Sequence, residues 1–192
     1  MSSNKWAKNV ILVDAVFLDK MGYIFRSNYE RLLKRDVNKA DLAIWLESAM
    51  LDGGLRVGDN TVQVVVLFDE NAEGFDNFLP SDFNKELNGK GFKGPLGEFR
   101  LAAFPAFSKV VSLKSFFLQT LENILQAEEV ERLVVVGDNE ECGEEIADHL
   151  TKNTDKEVTI LTTAPIKGEG FKQDLLGYSL TRALGISPDE MQ

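Results

Sequence analysis

Cysteine and histidine are almost missing from this chain. Cys142 and His149 are each the single residue of their type, which excludes an intrachain disulfide, a cysteine-based metal cluster and a multi-histidine zinc site. Long apolar runs are also lacking, and nothing approaches the roughly 20 residues needed to cross a bilayer. Lys5 and Lys8 precede an apolar stretch, as in a signal peptide, but Asp14 interrupts it and no small-residue cleavage site follows. The expectation is a cytoplasmic protein with no membrane partner. Positive charge is scarce: 21 Lys and Arg face 31 Asp and Glu, a net −10, which argues against indiscriminate nucleic-acid binding. Internal repeats and low-complexity linkers are absent.

What remains is a chain of 192 residues, 44% hydrophobic and 27% charged, enough for one domain with a sizeable core. A single α/β domain over 8–186 is expected, with flexible termini at 1–7 and 187–192. Five segments read as strands. The first, Asn9 to Asp14, and the fourth, Leu133 to Val136, are continuous apolar runs of the kind buried on both faces. Thr61 to Asp69, Glu98 to Phe104 and Glu157 to Leu161 are the others. Between them, helical spacing predicts a helix from about Phe25, with Arg26, Arg31, Lys34 and Arg35 on its wet side. A second is expected behind Asn38 as N-cap, with Asp41 in its first turn. Ser112 caps a third, running to about Gln126. A fourth follows Gly137-Asp138-Asn139, and a last one runs from about Gln173 to Leu184. Strands alternating with helices imply a mostly parallel sheet covered on both faces, a three-layer α/β/α sandwich with strand order 3-2-1-4-5. The irregular stretch 71–97 holds Phe75, Phe78, Phe83 and Phe92; such residues pin a loop to the core more often than they stack bases.

Acids stand at the ends of three strands: Asp14, Asp69 with Glu70, and Asp138 with Glu140 two residues on. In open α/β sheets this edge is where ligands bind. Oxygen ligands from a few carboxylates suit magnesium or manganese, and carboxylates crowded together without a cation repel one another. Each acid also has a structural explanation. Asp138 lies three residues before Glu141, at the positive end of a helix dipole, Asp41 supplies first-turn charge, and Asp69 can turn the chain. Cys142 and His149 read as packing and boundary residues of the fourth helix.

The order of elements, the segment ILVDAVFL ending its strand at Asp14, and VVVGDNEECGEEI with Gly137 and Asp138 resemble the PIN-like nucleases, and among them the NYN ribonuclease domains. The resemblance implies a divalent-metal-dependent ribonuclease acting on single-stranded RNA. Asp14 and Asp138 would be Mg2+ or Mn2+ ligands and catalytic residues, Asp69 a further catalytic acid and Glu140 an auxiliary one. The cations Arg26, Arg31, Lys34 and Arg35 would face the nucleic acid. Two positions depart from the family pattern. Ala15, Val16 and Phe17 stand where an Asn is usual, and the helix opening Val111 to Ser115 carries no acid of the Lys-x-x-Asp type. The alternative is a catalytically inactive PIN-like domain that binds a partner protein or a nucleotide, with homodimerisation open. A flavodoxin-like domain is the third reading, although no phosphate loop is present.

Overall fold

The computed structural model describes residues 5–153 and 155–192. The chain runs through β1 (Asn9–Asp14), α1 (Ala15–Leu33), β2 (Ala40–Asp41), α2 (Leu42–Asp52), β3 (Asn60–Asp69) and β4 (Phe78–Leu79). One turn of π-helix (Phe83–Leu87) leads to β5 (Gly91–Gly94), β6 (Gly97–Ala106), α3 (Leu113–Gln126), β7 (Arg132–Val136) and α4 (Asn139–Thr151). Then come β8 (Glu157–Thr162), β9 (Lys172–Leu175), α5 (Leu176–Ala183) and a 3-10 turn, Pro188–Met191. β1 is buried along its whole length. Its alternate side chains feed opposite cores: Ile11 and Val13 join α1, α2 and α5 on one face, Val10 and Leu12 join α3 and α4 on the other.

The main sheet has seven strands in the order β5-β6-β3-β1-β7-β8-β9, and a separate pair joins β2 to β4. All neighbours in the main sheet are parallel except β5, which returns antiparallel on β6. The five strands expected from the sequence occupy its centre in the expected order. The expectation of five strands is corrected to seven: β5 and β9 are four-residue edge strands with little burial, and they lack the apolar run that betrays a central strand.

Three helix boundaries differ from the sequence reading. α1 begins at Ala15, ten residues ahead of Phe25. Its first turns bury Phe17, Leu18, Met21 and Gly22, and a segment apolar on several sides hides the helical period. α2 begins at Leu42 with Asp41 itself as N-cap, so Asn38 is not the cap. The last helix is shorter than expected because Lys172–Leu175 extends the sheet first. Ser112 caps α3 as expected, accepting the Ser115 N–H at 3.1 Å.

The phenylalanines of the irregular stretch anchor it to the core. Phe83 stacks on Phe68 at 4.3 Å and meets Phe75 at 5.0 Å, while Phe78 meets Trp45 edge-on. Gly22 makes this packing possible, since a Cβ there would lie 2.8 Å from the Phe78 ring. At the carboxyl end, where a flexible tail was expected, Ser187 and Glu190 form a capping box and Arg35 pairs with Glu190 at 2.6 Å. At the amino end Trp6 packs on the core; the expectation for residues 1–4 lies outside the described residues. Among the described residues no helix is long and apolar enough to cross a membrane.

Candidate functional site

β1 and β7 are neighbours, with Val13 opposite Val136, so Asp14 and Asp138 leave the sheet side by side at its carboxyl edge. Each is immediately followed by a helix, and each caps it. Asp14 accepts the Phe17 N–H at 3.1 Å, and Asp138 accepts those of Glu140 and Glu141 at 3.1 and 3.0 Å. They share a cleft of about 250 Å³ with Ser112, Lys114, Glu141 and Cys142. Burial raises the Asp14 carboxyl from 3.8 to about 6; the N–H groups of Phe17 and Val16 oppose the shift, and the charges of Asp138 and Glu141 add to it. Lys114 stands at the mouth of the cleft and pairs with Glu145 at 2.8 Å.

The other expected site residues lie elsewhere. Asp69 turns the chain after β3, accepting the backbone and side-chain N–H groups of Asn71 at 2.9 and 3.1 Å, and it does not line the cleft. Glu70 ties that turn to Ser108. Asp41 caps α2 through Ile44. Glu140 is exposed and lines a different groove. The cations expected to face nucleic acid sit far down α1. At 1.5 Å per residue, Arg31 and Lys34 are roughly 25–30 Å from Asp14 along the helix axis. Arg26 holds the Val37 carbonyl at 2.7 Å and Arg35 holds Glu190. The acids and the basic surface therefore do not meet.

A divalent cation needs several oxygen ligands with lone pairs to give. The cleft offers two carboxylates, each with one oxygen committed to helix N–H groups, plus Glu141 on the rim and a lysine beside them. Among the described residues no group of three or more metal-ligating side chains comes together. Each of the two carboxylates keeps a second oxygen, so the cleft offers a sparse donor set in which water would have to complete the shell of a Mg2+ or Mn2+ ion. The cleft holds no activated thiol: burial, then Asp138 and Asp14, push Cys142 up to about 11. His149 pairs with Glu122 at 2.7 Å, joining α4 to α3.

A larger feature escaped the sequence reading. α1, α2, α5 and the 3-10 turn enclose an apolar groove of about 1100 Å³, with Phe25, Tyr29, Ile44, Tyr178 and Met191 among its walls. Glu140, Thr162 and Thr163 lie at the end nearest the sheet edge. Gly177 lets α5 close on α1, because a Cβ there would lie 2.9 Å from the Phe25 ring, and Tyr29 and Thr181 share a hydrogen bond at 2.7 Å. Tyr178 remains 62% exposed. The available signal was the mixed exposure of apolar positions on α1 and α5, but the groove is an assembly of four distant segments, and periodicity within one helix does not report it.

No curated protein and no solved structure matches the chain. One family pattern does match, over residues 3–191, and by that match the chain belongs to a family of unknown function (DUF6621).

Proposed function

We propose that this chain is a PIN-like domain without nuclease activity that works as a binding module, with the α1–α5 groove as the surface that receives the apolar side chains of a partner protein. One observation carries the reading: the two carboxylates brought together at the sheet edge, Asp14 and Asp138, both cap helices and are joined in their cleft by a lysine. The α1–α5 groove, by contrast, is apolar and open, and exposed apolar surface of this kind marks interaction sites. The competing reading, a Mg2+- or Mn2+-dependent ribonuclease, draws support from the pairing of a buried acid at the end of one strand with a second acid just beyond the next strand.

Calorimetric titration of Mg2+ and Mn2+ into the wild type and Asp14→Asn separates the two. The binding-module reading expects no saturable heat at millimolar metal. Binding near or below millimolar that vanishes in Asp14→Asn would overturn it and favour the ribonuclease. A polarity-sensitive dye then reports the groove: enhanced emission with the wild type, lost in Tyr178→Glu, is the expected result. Equal emission from the variant would remove the groove from the proposal.

A further inference from the structure

The groove between α1 and α5 has a direction as well as apolar walls. Gly177 meets the Phe25 ring and Thr181 bonds Tyr29, so four residues along α5 match four along α1, and the two helices run side by side in the same sense. Register sets Leu175 beside Thr162 at the carboxyl end of β8, which fixes one end of the trough. Tyr29 reaches the Met191 sulfur at 3.7 Å near the other. From Met21 to Tyr29 the trough measures about 12 Å at 1.5 Å per residue. Its apolar surface spreads past the trough onto the rims, where Ile44, Leu175 and Met191 are 45%, 43% and 56% exposed. A small ligand in the trough would leave those rims in water, whereas a partner protein covers them.

The two ends differ in chemistry. Thr162 is 2% exposed and lines the groove, yet its hydroxyl has no hydrogen-bond partner among the described residues. Whatever fills the groove takes water from this hydroxyl and has to replace it with a polar atom. Glu140 stands at the same end, because Asn139 ties the start of α4 to Thr163 at 3.1 Å. Its exposed carboxylate enters no hydrogen bond or ion pair among the described residues. Arg182 supplies the positive charge of the wall, one residue beyond Thr181 and so toward the other end. Off the walls, Lys20 and Asp174 adjoin the first end with opposite signs. Asp189 adjoins the second, and Glu190 is occupied by Arg35.

We propose that the groove receives one amphipathic α-helix of a basic partner protein, with the helix's amino-terminal turn at the sheet edge and a lysine or arginine of that turn on Glu140 and Thr162. This rests on the reading of the groove as a partner surface. The walls are mostly helical, and helix interiors offer no unpaired N–H or C=O. An extended segment would therefore bury backbone groups without partners, whereas a helix satisfies its own. Apolar residues at i, i+4 and i+7 of the partner span about 10 Å, close to the length of the trough. At the first end a carboxylate and a hydroxyl oxygen both accept, which selects an N–H donor, and the charge of Glu140 favours a cationic one. The helix dipole gives the direction: the positive end of the incoming helix lies at Glu140 and the negative end toward Arg182. The net charge of −10 favours a basic partner at longer range.

The test is selection of phage-displayed random peptides of about 16 residues, enough for four helical turns, on the immobilised full chain, with Tyr178→Glu as counter-target. The expected sequences carry apolar residues at i, i+4 and i+7 and a lysine or arginine within the turn before the first of them. The enriched peptide, labelled, is then titrated by fluorescence anisotropy, and circular dichroism should show that it gains helix on binding. Glu140→Lys weakens binding about tenfold, Glu140→Gln less, and Thr162→Val several-fold. Replacing the peptide's cation by glutamate costs the wild type a similar factor and restores binding to Glu140→Lys. Thermal melts verify that each variant is folded. Tyr178-dependent sequences that are proline-rich, stay extended when bound or place the cation at the carboxyl end overturn this proposal and leave the groove as a partner surface. So does an enriched peptide indifferent to Glu140→Lys. No enrichment, with dye emission still lost in Tyr178→Glu, also overturns this proposal alone; no enrichment and no Tyr178-dependent emission removes the groove reading with it.

Discussion

Asp14→Asn keeps a side-chain oxygen at the N-cap of α1 and removes the charge. The carboxylate accepts the Phe17 N–H, an amide oxygen can do the same, and Asn and Asp are caps of nearly equal quality. Ionisation is what changes. Burial is the main reason the Asp14 carboxyl rises from 3.8 to about 6. Because the folded value lies above the unfolded one, protonation favours the native state. That stability is full below about pH 4 and is lost as pH rises through about 6. At 1.36 kcal/mol per unit the gap has a ceiling of about 3 kcal/mol. Relaxation of the cleft lowers it, so the variant is expected to gain about 1–2 kcal/mol at neutral pH and above. For a chain of this length that is about 3–6 °C in Tm.

Scanning calorimetry with a chelator present, at several values between about pH 4 and 8, measures the effect. The advantage of the variant should be largest at the alkaline end, fall to about half near pH 5, and be small near pH 4, where the folded-state carboxyl is protonated and the unfolded one is about half protonated. A variant less stable than the wild type at neutral pH, with a difference that does not vary with pH, would refute the reasoning. It would mean that the Asp14 charge is compensated in the folded cleft. If added Mg2+ then raised the wild-type Tm and not that of the variant, the compensating group would be a metal.

Gly22→Ala places a Cβ 2.8 Å from the Phe78 ring and is expected to destabilise by about 1–3 kcal/mol through overpacking, read as a lower urea midpoint. Trp45→Phe removes the indole N–H that bonds Ser179 at 3.1 Å in a fully buried site; the cavity and the lost bond together should destabilise by about 2–3 kcal/mol, read in the same way. With its pKa pushed up to about 11, Cys142 is roughly one part in a thousand thiolate near pH 8. Iodoacetamide should therefore label it only in denaturant, and rapid labelling of the native chain would contradict the packing seen around it.

The central sheet was legible in the sequence because buried parallel strands announce themselves. Val10 to Val13, Val64 to Phe68 and Leu133 to Val136 are apolar on both faces, and no surface helix has that pattern. Elements at the margin lack such a signature. β5, with sequence GFKG, and β9, with sequence KQDL, are held by backbone bonds along one side and leave their side chains largely in water. The early start of α1 failed for the opposite reason. AVFLDKMGYI packs between the sheet, the phenylalanine loop and α5, so its polar face shrinks to a few positions and its period is lost.

The acids illustrate a more general ambiguity in reading strand ends. In this topology Asp14 closes β1, Asp41 closes the short β2 and Asp138 follows β7 after Gly137, and each has a helix beginning at the next residue. A cap residue is therefore delivered to the carboxyl edge of the sheet, the same place where α/β proteins bind ligands. An acid found there has two possible origins, and composition alone does not separate them. The length of the connection does. Where the helix starts immediately, the acid already has a use in satisfying orphan N–H groups. Where a loop intervenes, as after Asp69 and Glu70, the acid is free to turn the chain or to reach elsewhere, and here both are tied to nearby loop groups. The sequence hid this distinction at Asp14 because the start of α1 was hidden. Once that start is known, the acid hardest to explain structurally becomes an ordinary N-cap in an unusually dry setting.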